Sequence, residues 1–421
     1  MAKAENINSD ILAWARKSAG LSLDDAATRL GIASTETISA ADKLEELETG
    51  AKFPTRSQLA KFAAVYRRPL ITFYMKQPPQ KGERGEDFRT LTGNVSNREN
   101  AMLDALLRDI HARQEMVRSL REDEEDVEPL AFVGSRNIRD GVPSVVESIS
   151  KALGVSEGRK DGRNGSPDDF FRELRNRAER IGVFVLLVGD LGSHHSAISE
   201  TVFRGFTIAD RIAPFVVIND QDAKSARAFT LLHELAHIWL GQTGVSGTPY
   251  VGEPRAAISK IEQFCNDVAG AFLLPDSAFP SEKSNDFKAD RNAVMHEIER
   301  IAASWSVSEP MVAYRLNRLG WITPTVYREL QATYAARWHA IKLKDKSKAN
   351  ETEGGPSYYV VKQFKLGNAL VDLVRRTVRN NELSHTKAAK VLGVNPGSVE
   401  PLLRRFESRR GAVVPDFGSK I

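Results

Sequence analysis

Two histidines stand four residues apart in the apolar segment FTLLHELAHIWLG, residues 229–241, and a glutamate directly follows the first of them. On a helix, positions i and i+4 lie on one face, so His233 and His237 can present two imidazoles to one cation. Glu234 is offset around the helix axis, where its carboxylate can reach a water held by that cation. This H-E-x-x-H pattern is typical of zinc-dependent peptide hydrolysis, with the glutamate as general base and then general acid.

A catalytic zinc ion needs a third protein ligand and one open position. The segment AISKIEQFCNDVAGAFLLP, residues 257–275, predicts a helix with Glu262 on the edge of its apolar stripe. A carboxylate that faces an apolar core is costly unless it is paired or bound to a metal, which makes Glu262 the leading candidate. Asn266, one turn later, is predicted to hold the second oxygen of that carboxylate.

Other residues remain candidates for the third ligand. Glu253 lies in a Gly/Pro-containing loop, and His194 and His195 lie in the polar loop GSHHSA, whose composition favours exposed positions. Cys265 is chemically a good zinc ligand, but a single cysteine on an apolar stripe also fits a small buried residue. The alternative to any metal site is a pair of histidines that are simply satisfied within the core.

The H-E-x-x-H helix must be positioned by the elements around it. The amphipathic residues 168–182 predict a helix that leads into a buried strand, VFVLLVG at 183–189. ETVFRGFTIAD and APFVVIND, residues 200–210 and 213–220, predict two more strands, and helical patterns dominate after the H-E-x-x-H helix. We therefore expect an α+β domain over residues 140–330.

Short helices joined by tight turns are predicted on both sides of that domain. Five helices within residues 9–75, with Ser22 as an N-cap, fit a helix-turn-helix bundle. Near the C-terminus, LSHTKAAKVLGVNPGSVEPLLRRF repeats the order of helix, Leu-Gly-Val turn and helix. The predicted fold class is multidomain and mainly α, with an α+β core flanked by helical, helix-turn-helix-like domains.

The central segments resemble those of the ImmA/IrrE family of metallopeptidase-like proteins. The matching pieces are FVVIND…ARAFTLLHELAHIWLG and IEQFCNDVAGAFLLP, with 24 residues between His237 and Glu262. The resemblance implies a zincin-like core and one zinc ion per chain, with His233, His237 and Glu262 as ligands and Glu234 as the catalytic residue. In zincin folds an edge strand above the active-site helix pairs with extended substrate, and we expect FRGFTI or APFVVI in that place.

The N-terminal bundle resembles the Xre-type helix-turn-helix found fused to such peptidases. We therefore expect five parts in chain order: an Xre-type domain, a linker with one helix, a metallopeptidase domain, a second linker and a C-terminal helix-turn-helix-like domain. Their expected bounds are 1–78, 79–139, 140–330, 331–356 and 357–421.

Charge is distributed unevenly along the chain. From Arg337 to the end there are 17 Lys/Arg and 8 Asp/Glu, a net of +9, and since the whole chain carries +4 the rest carries −5. A basic tail favours a polyanionic partner, and Arg404 and Arg405 on the second helix of the C-terminal pair are the predicted DNA contacts. The N-terminal pair has five acids and one lysine between Ile32 and Thr49, which opposes phosphate binding.

The composition indicates a cytoplasmic protein with no membrane partner, because there is no long apolar run, no apolar signal region and only one cysteine. The leading hypothesis is a zinc-dependent regulatory endopeptidase. The resemblance implies that it cleaves or controls a transcriptional repressor or antitoxin-type protein encoded nearby, in response to stress, with DNA as a second candidate partner. The alternative is a DNA-binding regulator or antitoxin of a toxin–antitoxin-type operon, whose metal site is structural or sensory. A third hypothesis is a protein-interaction scaffold.

Overall fold

The structure, a computed structural model, describes residue 4 and residues 6–79, 96–124, 127–155, 166–192, 196–246, 257–279, 291–349 and 357–411. In these ranges the α-helices are α1 (Ser9–Ser18), α2 (Leu23–Leu30), α3 (Ala40–Glu48), α4 (Arg56–Tyr66), α5 (Asn97–Glu122), α6 (Gly141–Leu153), α7 (Pro167–Arg180), α8 (Arg227–Leu240), α9 (Ala257–Leu273), α10 (Arg291–Trp305), α11 (Glu309–Arg318), α12 (Pro324–Ala349), α13 (Tyr358–Leu366), α14 (Asn368–Arg379), α15 (His385–Leu392) and α16 (Val399–Gly411). The strands are β1 (Phe184–Leu187), β2 (Gly205–Ile208), β3 (Phe215–Ile218) and β4 (Gly244–Ser246).

The four described strands form a small mixed sheet in the order β1-β3-β2-β4. β3 is parallel to β1 and antiparallel to β2, which pairs antiparallel with β4. The first three strands confirm the strand predictions and the α+β character of the core. β4 follows the H-E-x-x-H helix and is not predicted, because three residues are too few to show an alternating pattern.

The edge-strand prediction is wrong. FRGFTI contains β2 and APFVVI contains β3, and each of these strands pairs with a neighbour on both sides. The edges of the described sheet are β1 and β4. The physical reason is the three-residue strand β4, which follows α8 in the chain. It pairs with the side of β2 that would otherwise form the edge of the sheet.

The H-E-x-x-H helix, α8, is buried on nearly all sides. α8 packs against β2 and β3 on one side and against α9 on another. Leu235 and Trp239 on α8 are fully buried, in one apolar cluster with residues of α6, α7 and α9 to α12. Gly241 ends the helix in the left-handed conformation, with φ 68°.

The chain separates into two compact units. The first comprises Met1–Ile110 and Asp190–Ile198, and the second comprises His111–Gly189 and Ser199–Ile421. The second unit therefore contains the expected metallopeptidase domain except for Asp190–Ile198, together with the C-terminal helices. The predicted linker at 331–356 is helical over its described part, because α12 continues to Ala349 without a glycine or proline to interrupt it. None of the described helices is long and apolar enough to cross a membrane.

The first unit has its own core around α1 to α4. Ile11, Leu44 and Phe62 are buried together there. Ser22 caps α2 as predicted, since its side chain accepts a hydrogen bond from the backbone amide of Asp25. A loop of residues 31–39 separates α2 from α3.

A buried ion pair holds α13 and α14 against α7 in the second unit. Arg175 and Glu179, one turn apart on α7, are each 5% exposed, and Nε of the arginine lies 3.1 Å from Oε1 of the glutamate. Arg175 also donates to the carbonyls of Val185 and Phe364. Glu179 accepts the backbone amide of Asn368 at 2.9 Å, at the start of α14. The pair thus satisfies backbone groups of three separate elements.

Replacing Glu179 by alanine is expected to lower the free energy of unfolding by about 3 kcal/mol, because Arg175 would stay buried without its counter-charge. Urea unfolding followed by far-ultraviolet circular dichroism measures this loss. The double variant Arg175→Met/Glu179→Leu, which removes both charges, should lose clearly less. An equal or greater loss in the double variant would contradict the importance of the pairing.

Candidate metal centre

α8 places both motif histidines in the interior, with one nitrogen of each ring close to one nitrogen of the other. These Nε2 atoms are 3.1 Å apart. His233 is 4% exposed and His237 is 1% exposed. Two neutral ring nitrogens that both present lone pairs at this distance repel each other unless a proton or a cation lies between them. The Nδ1 atoms of both rings have no hydrogen-bond partner among the described residues.

α9 brings Glu262 to the same point. Its Oε2 lies 3.3 Å from Nε2 of His233, and its Oε1 lies 3.1 Å from Nε2 of His237. Although burial opposes the charge, the hydrogen bonds from the two imidazoles lower the pKa of Glu262 below its ordinary value. The carboxylate therefore remains charged at neutral pH, as a metal ligand must be.

The three residues fit a tetrahedral zinc ion. One ligand atom from each of His233, His237 and Glu262 lies within 4.8 Å of the others. A tetrahedral ion with bonds of about 2.1 Å separates its ligand atoms by about 3.4 Å. The two Nε2 atoms are 3.1 Å apart, and each lies 3.1 to 3.3 Å from one of the two oxygens of Glu262, which is close to that spacing. Two nitrogens and one carboxylate oxygen are also the donors that zinc prefers in catalytic sites. Among the described residues, no other group of histidine, cysteine and acidic side chains has this geometry.

Glu234 lies beside this cluster but is not one of its converging ligands. Its Oε2 accepts a hydrogen bond of 2.8 Å from the hydroxyl of Thr207 on β2, and it is fully buried. Its Oε1 has no hydrogen-bond partner among the described residues. A Cβ at Gly205 would lie 2.5 Å from that oxygen, so only glycine leaves room for the carboxylate. Thr207 and Gly205, two positions apart on one strand, thus shape the place of Glu234 from the same face of β2.

The environment of Glu234 favours proton uptake. Burial raises its pKa above the ordinary value, while His233, His237 and the Thr207 hydroxyl act in the opposite direction. A buried carboxylate with a raised pKa and one free oxygen is suited to accept and return a proton. The sequence pattern did identify Glu234, but it did not identify Thr207 or Gly205. The only sequence signal for these two residues is that a polar residue and a glycine occur within an otherwise apolar strand.

The remaining candidates for the metal site have different outcomes. Asn266 is buried one turn after Glu262, but both oxygens of Glu262 face imidazoles and Asn266 makes no hydrogen bond to them among the described residues. The support of Glu262 by Asn266 stays a prediction. Cys265 is fully buried against His237 and outside the three-ligand group, as expected of a small core residue. Glu253, His194 and His195 lie outside the described residues.

The predicted DNA contacts on α16 differ from each other. Arg404 is exposed and pairs with Glu400 on the same helix, at 2.7 Å, whereas Arg405 is half-buried. On the preceding α15, Lys387 and Lys390 are exposed and have no acidic partner among the described residues. The sequence reasoning did not select these two lysines, which add exposed positive charge to this helix pair.

The N-terminal helix pair presents acids to solvent. Glu36, Asp42 and Glu45 are exposed on the loop before α3 and on α3 itself. Lys43, the one base of this stretch, donates to the carbonyl of Ala33 at 2.7 Å. The exposed acids are the physical basis of the prediction that the N-terminal pair binds phosphates poorly, which stays a prediction.

Comparison with known families finds one similarity. Residues 182–317 match the Peptidase M78 family, described as the IrrE N-terminal-like domain. This stretch contains His233, Glu234, His237 and Glu262, and it supports the resemblance to the ImmA/IrrE family for the central part of the chain. Neither the curated proteins nor the solved structures include a match to the chain.

Purified protein is expected to bind one zinc ion per chain, and His233→Ala, His237→Ala or Glu262→Ala should each abolish stoichiometric binding. Competition with a chromophoric chelator measures the affinity. The affinity should fall as the pH is lowered, because Glu262 and Cys265 raise the pKa of His237 against the effect of burial, and its proton competes with the metal. Cys265→Ala is the control and should retain one zinc. Full binding by Glu262→Ala would contradict the assigned ligand set.

Proposed function

We propose that this chain is a zinc-dependent regulatory endopeptidase. The observation that carries the proposal is the convergence of His233, His237 and Glu262 within 4.8 Å of one another beside a buried glutamate that is left free of them. A purely structural zinc site is held by four permanent protein ligands and has no use for Glu234. The similarity of residues 182–317 to the Peptidase M78 family supports the same reaction class.

The chain's own groups account for the proton transfers of peptide hydrolysis. Zinc, when bound, polarises the scissile carbonyl and lowers the pKa of a coordinated water to about 7. Glu234 accepts the proton of the attacking water through its free Oε1 and returns it to the leaving amine, so it ends the cycle ionised again. Thr207 holds the other oxygen of Glu234, which keeps the accepting oxygen in one orientation.

The proposed substrate is a protein partner of the repressor or antitoxin type, encoded close to this chain and met in a reducing, cytoplasmic compartment. The support is the likeness to the ImmA/IrrE family together with the single cysteine of the chain. Glu234 is fully buried, and so a polypeptide reaches it only after a local rearrangement. The need for a rearrangement is suited to a protease whose activity is regulated.

DNA binding is a second candidate function, located on the C-terminal helix pair. The observation in its favour is the exposed, unpaired lysines Lys387 and Lys390 on α15, followed by exposed Arg404 on α16. α15 is capped by Ser384 and ends at Gly393 in the left-handed conformation, with φ 57°, before α16 begins. This order of helix, glycine turn and helix is that of a helix-turn-helix motif. In this alternative the metal site would be structural or sensory.

Glu234→Gln is expected to abolish cleavage of the partner protein while zinc stays bound at one per chain, because the amide cannot accept a proton and the ligands are unchanged. Incubation with the product of the neighbouring gene and mass spectrometry of the fragments measure cleavage. Glu329→Gln, an exposed residue of α12, is the matched control and should cleave normally. Continued cleavage by Glu234→Gln would rule out this mechanism.

If the C-terminal pair binds DNA, Lys387→Glu/Lys390→Glu should weaken binding to a duplex from upstream of the gene. The slope of log affinity against log salt should become smaller by about 2, since each phosphate contact contributes about 0.9. Fluorescence anisotropy at several salt concentrations measures the affinity and its dependence on salt. The matched control Lys17→Glu/Lys61→Glu reverses two exposed lysines of the N-terminal unit and should change little. A larger effect of the control pair would assign any DNA binding to the N-terminal unit and contradict binding by the C-terminal helix pair.

A further inference from the structure

A second hydroxyl besides that of Thr207 reaches the metal centre. Ser246 is the last residue of β4 and is 3% exposed, and its Oγ lies 2.9 Å from Nε2 of His233. β4 pairs with β2 so that Ser246 stands opposite Gly205, the residue that makes room for Glu234. Ser246 also lies near Glu234 and acts against burial by lowering the pKa of that carboxylate.

The hydrogen bond between Ser246 and His233 is incompatible with metal binding by His233. A neutral imidazole nitrogen has one lone pair or one proton, so Nε2 cannot coordinate an ion and keep a hydrogen bond to a hydroxyl. When the ion binds, the buried Ser246 hydroxyl loses this partner. An oxygen 2.9 Å from a ligand atom is near the spacing of about 3.4 Å between neighbouring positions around tetrahedral zinc.

We propose, on the basis of the metal centre proposed above, that Ser246 is the fourth residue of that centre. Its neutral hydroxyl takes the position that the two histidines and Glu262 leave open, and no proton is released. A water or a substrate carbonyl oxygen must displace Ser246 before hydrolysis. The resting centre is thus closed by an exchangeable ligand on a three-residue strand.

Two nearby side chains are less suited to this role. The hydroxyl of Thr207 already donates to Oε2 of Glu234 at 2.8 Å and also lies 3.2 Å from the backbone carbonyl of Glu234. The thiol of Cys265 lies against His237, but it falls outside the group of atoms that lie within 4.8 Å of one another. Ser246 is the hydroxyl that contacts a ligand nitrogen directly.

The test uses the cobalt(II)-loaded full chain, because a thiolate bound to cobalt gives an intense near-ultraviolet charge-transfer band. Ser246→Cys is made together with Cys265→Ala, so that the cysteine at 246 is the single thiol. The expected result is this band at one cobalt per chain. Cys265→Ala alone and Thr207→Cys/Cys265→Ala are the matched controls and should lack it. Stoichiometric cobalt without the band in the Ser246→Cys variant would overturn the proposal.

Ser246→Ala supplies an independent measurement that does not depend on the engineered cysteine. Loss of a ligand should weaken cobalt binding about tenfold, within the range of 10 to 100 found when groups that support a metal are removed. Added azide should alter the cobalt visible spectrum of Ser246→Ala at lower concentrations than that of the unaltered chain. Equal affinity together with an equal azide response would contradict the role of Ser246.

Failure of this proposal is distinguishable from failure of the metal centre itself. If the unaltered chain and Cys265→Ala bind no cobalt and no zinc, the metal centre is wrong and the role of Ser246 is overturned with it. If both bind one ion per chain and the Ser246 variants behave like the controls, only the role of Ser246 is overturned. Thermal unfolding of the metal-free variants checks that they fold like the unaltered chain.

Discussion

The close contact of α8 with α9 is the constraint on which the rest of the site depends. Two imidazoles from α8 and one carboxylate from α9 meet at separations of 3.1 to 3.3 Å inside an apolar core. Placing a carboxylate and two polar rings there is costly unless they satisfy one another or share a cation. The large apolar side chains that surround α8 fix the two helices at the distance that allows this meeting.

The sheet contributes to chemistry as well as to packing. β2 places Thr207 on one oxygen of Glu234, and the absence of a side chain at Gly205 leaves space for the other oxygen. β4 adds Ser246 at the nitrogen of His233. Glu234 and the two histidines are therefore held between helices on one side and two short strands on the other, which accounts for their almost complete burial.

The C-terminal helices belong to the same compact unit as the site rather than to a tethered module. Arg175 and Glu179 on α7 bind backbone groups at the end of α13 and the start of α14. Lys365 on α13 also forms an ion pair with Asp220, in the segment that leads from β3 to α8. The C-terminal helix pair packs on α13 and α14, which in turn contact α7 and β1 of the core.

The sequence by itself determined the local features whose cause is short-range. Periodicity and spacing predicted α8, the first three strands, the capping by Ser22, and the placement of His233, Glu234 and His237 on one helix. They also selected Glu262, because a carboxylate on an apolar stripe needs a partner. Tertiary structure alone decided which strand closes the sheet, and that α12 and the C-terminal helices join the core unit. These outcomes depend on contacts between residues far apart in the chain, and no local pattern encodes such a pairing when the partner is as short as the Gly-Val-Ser of β4.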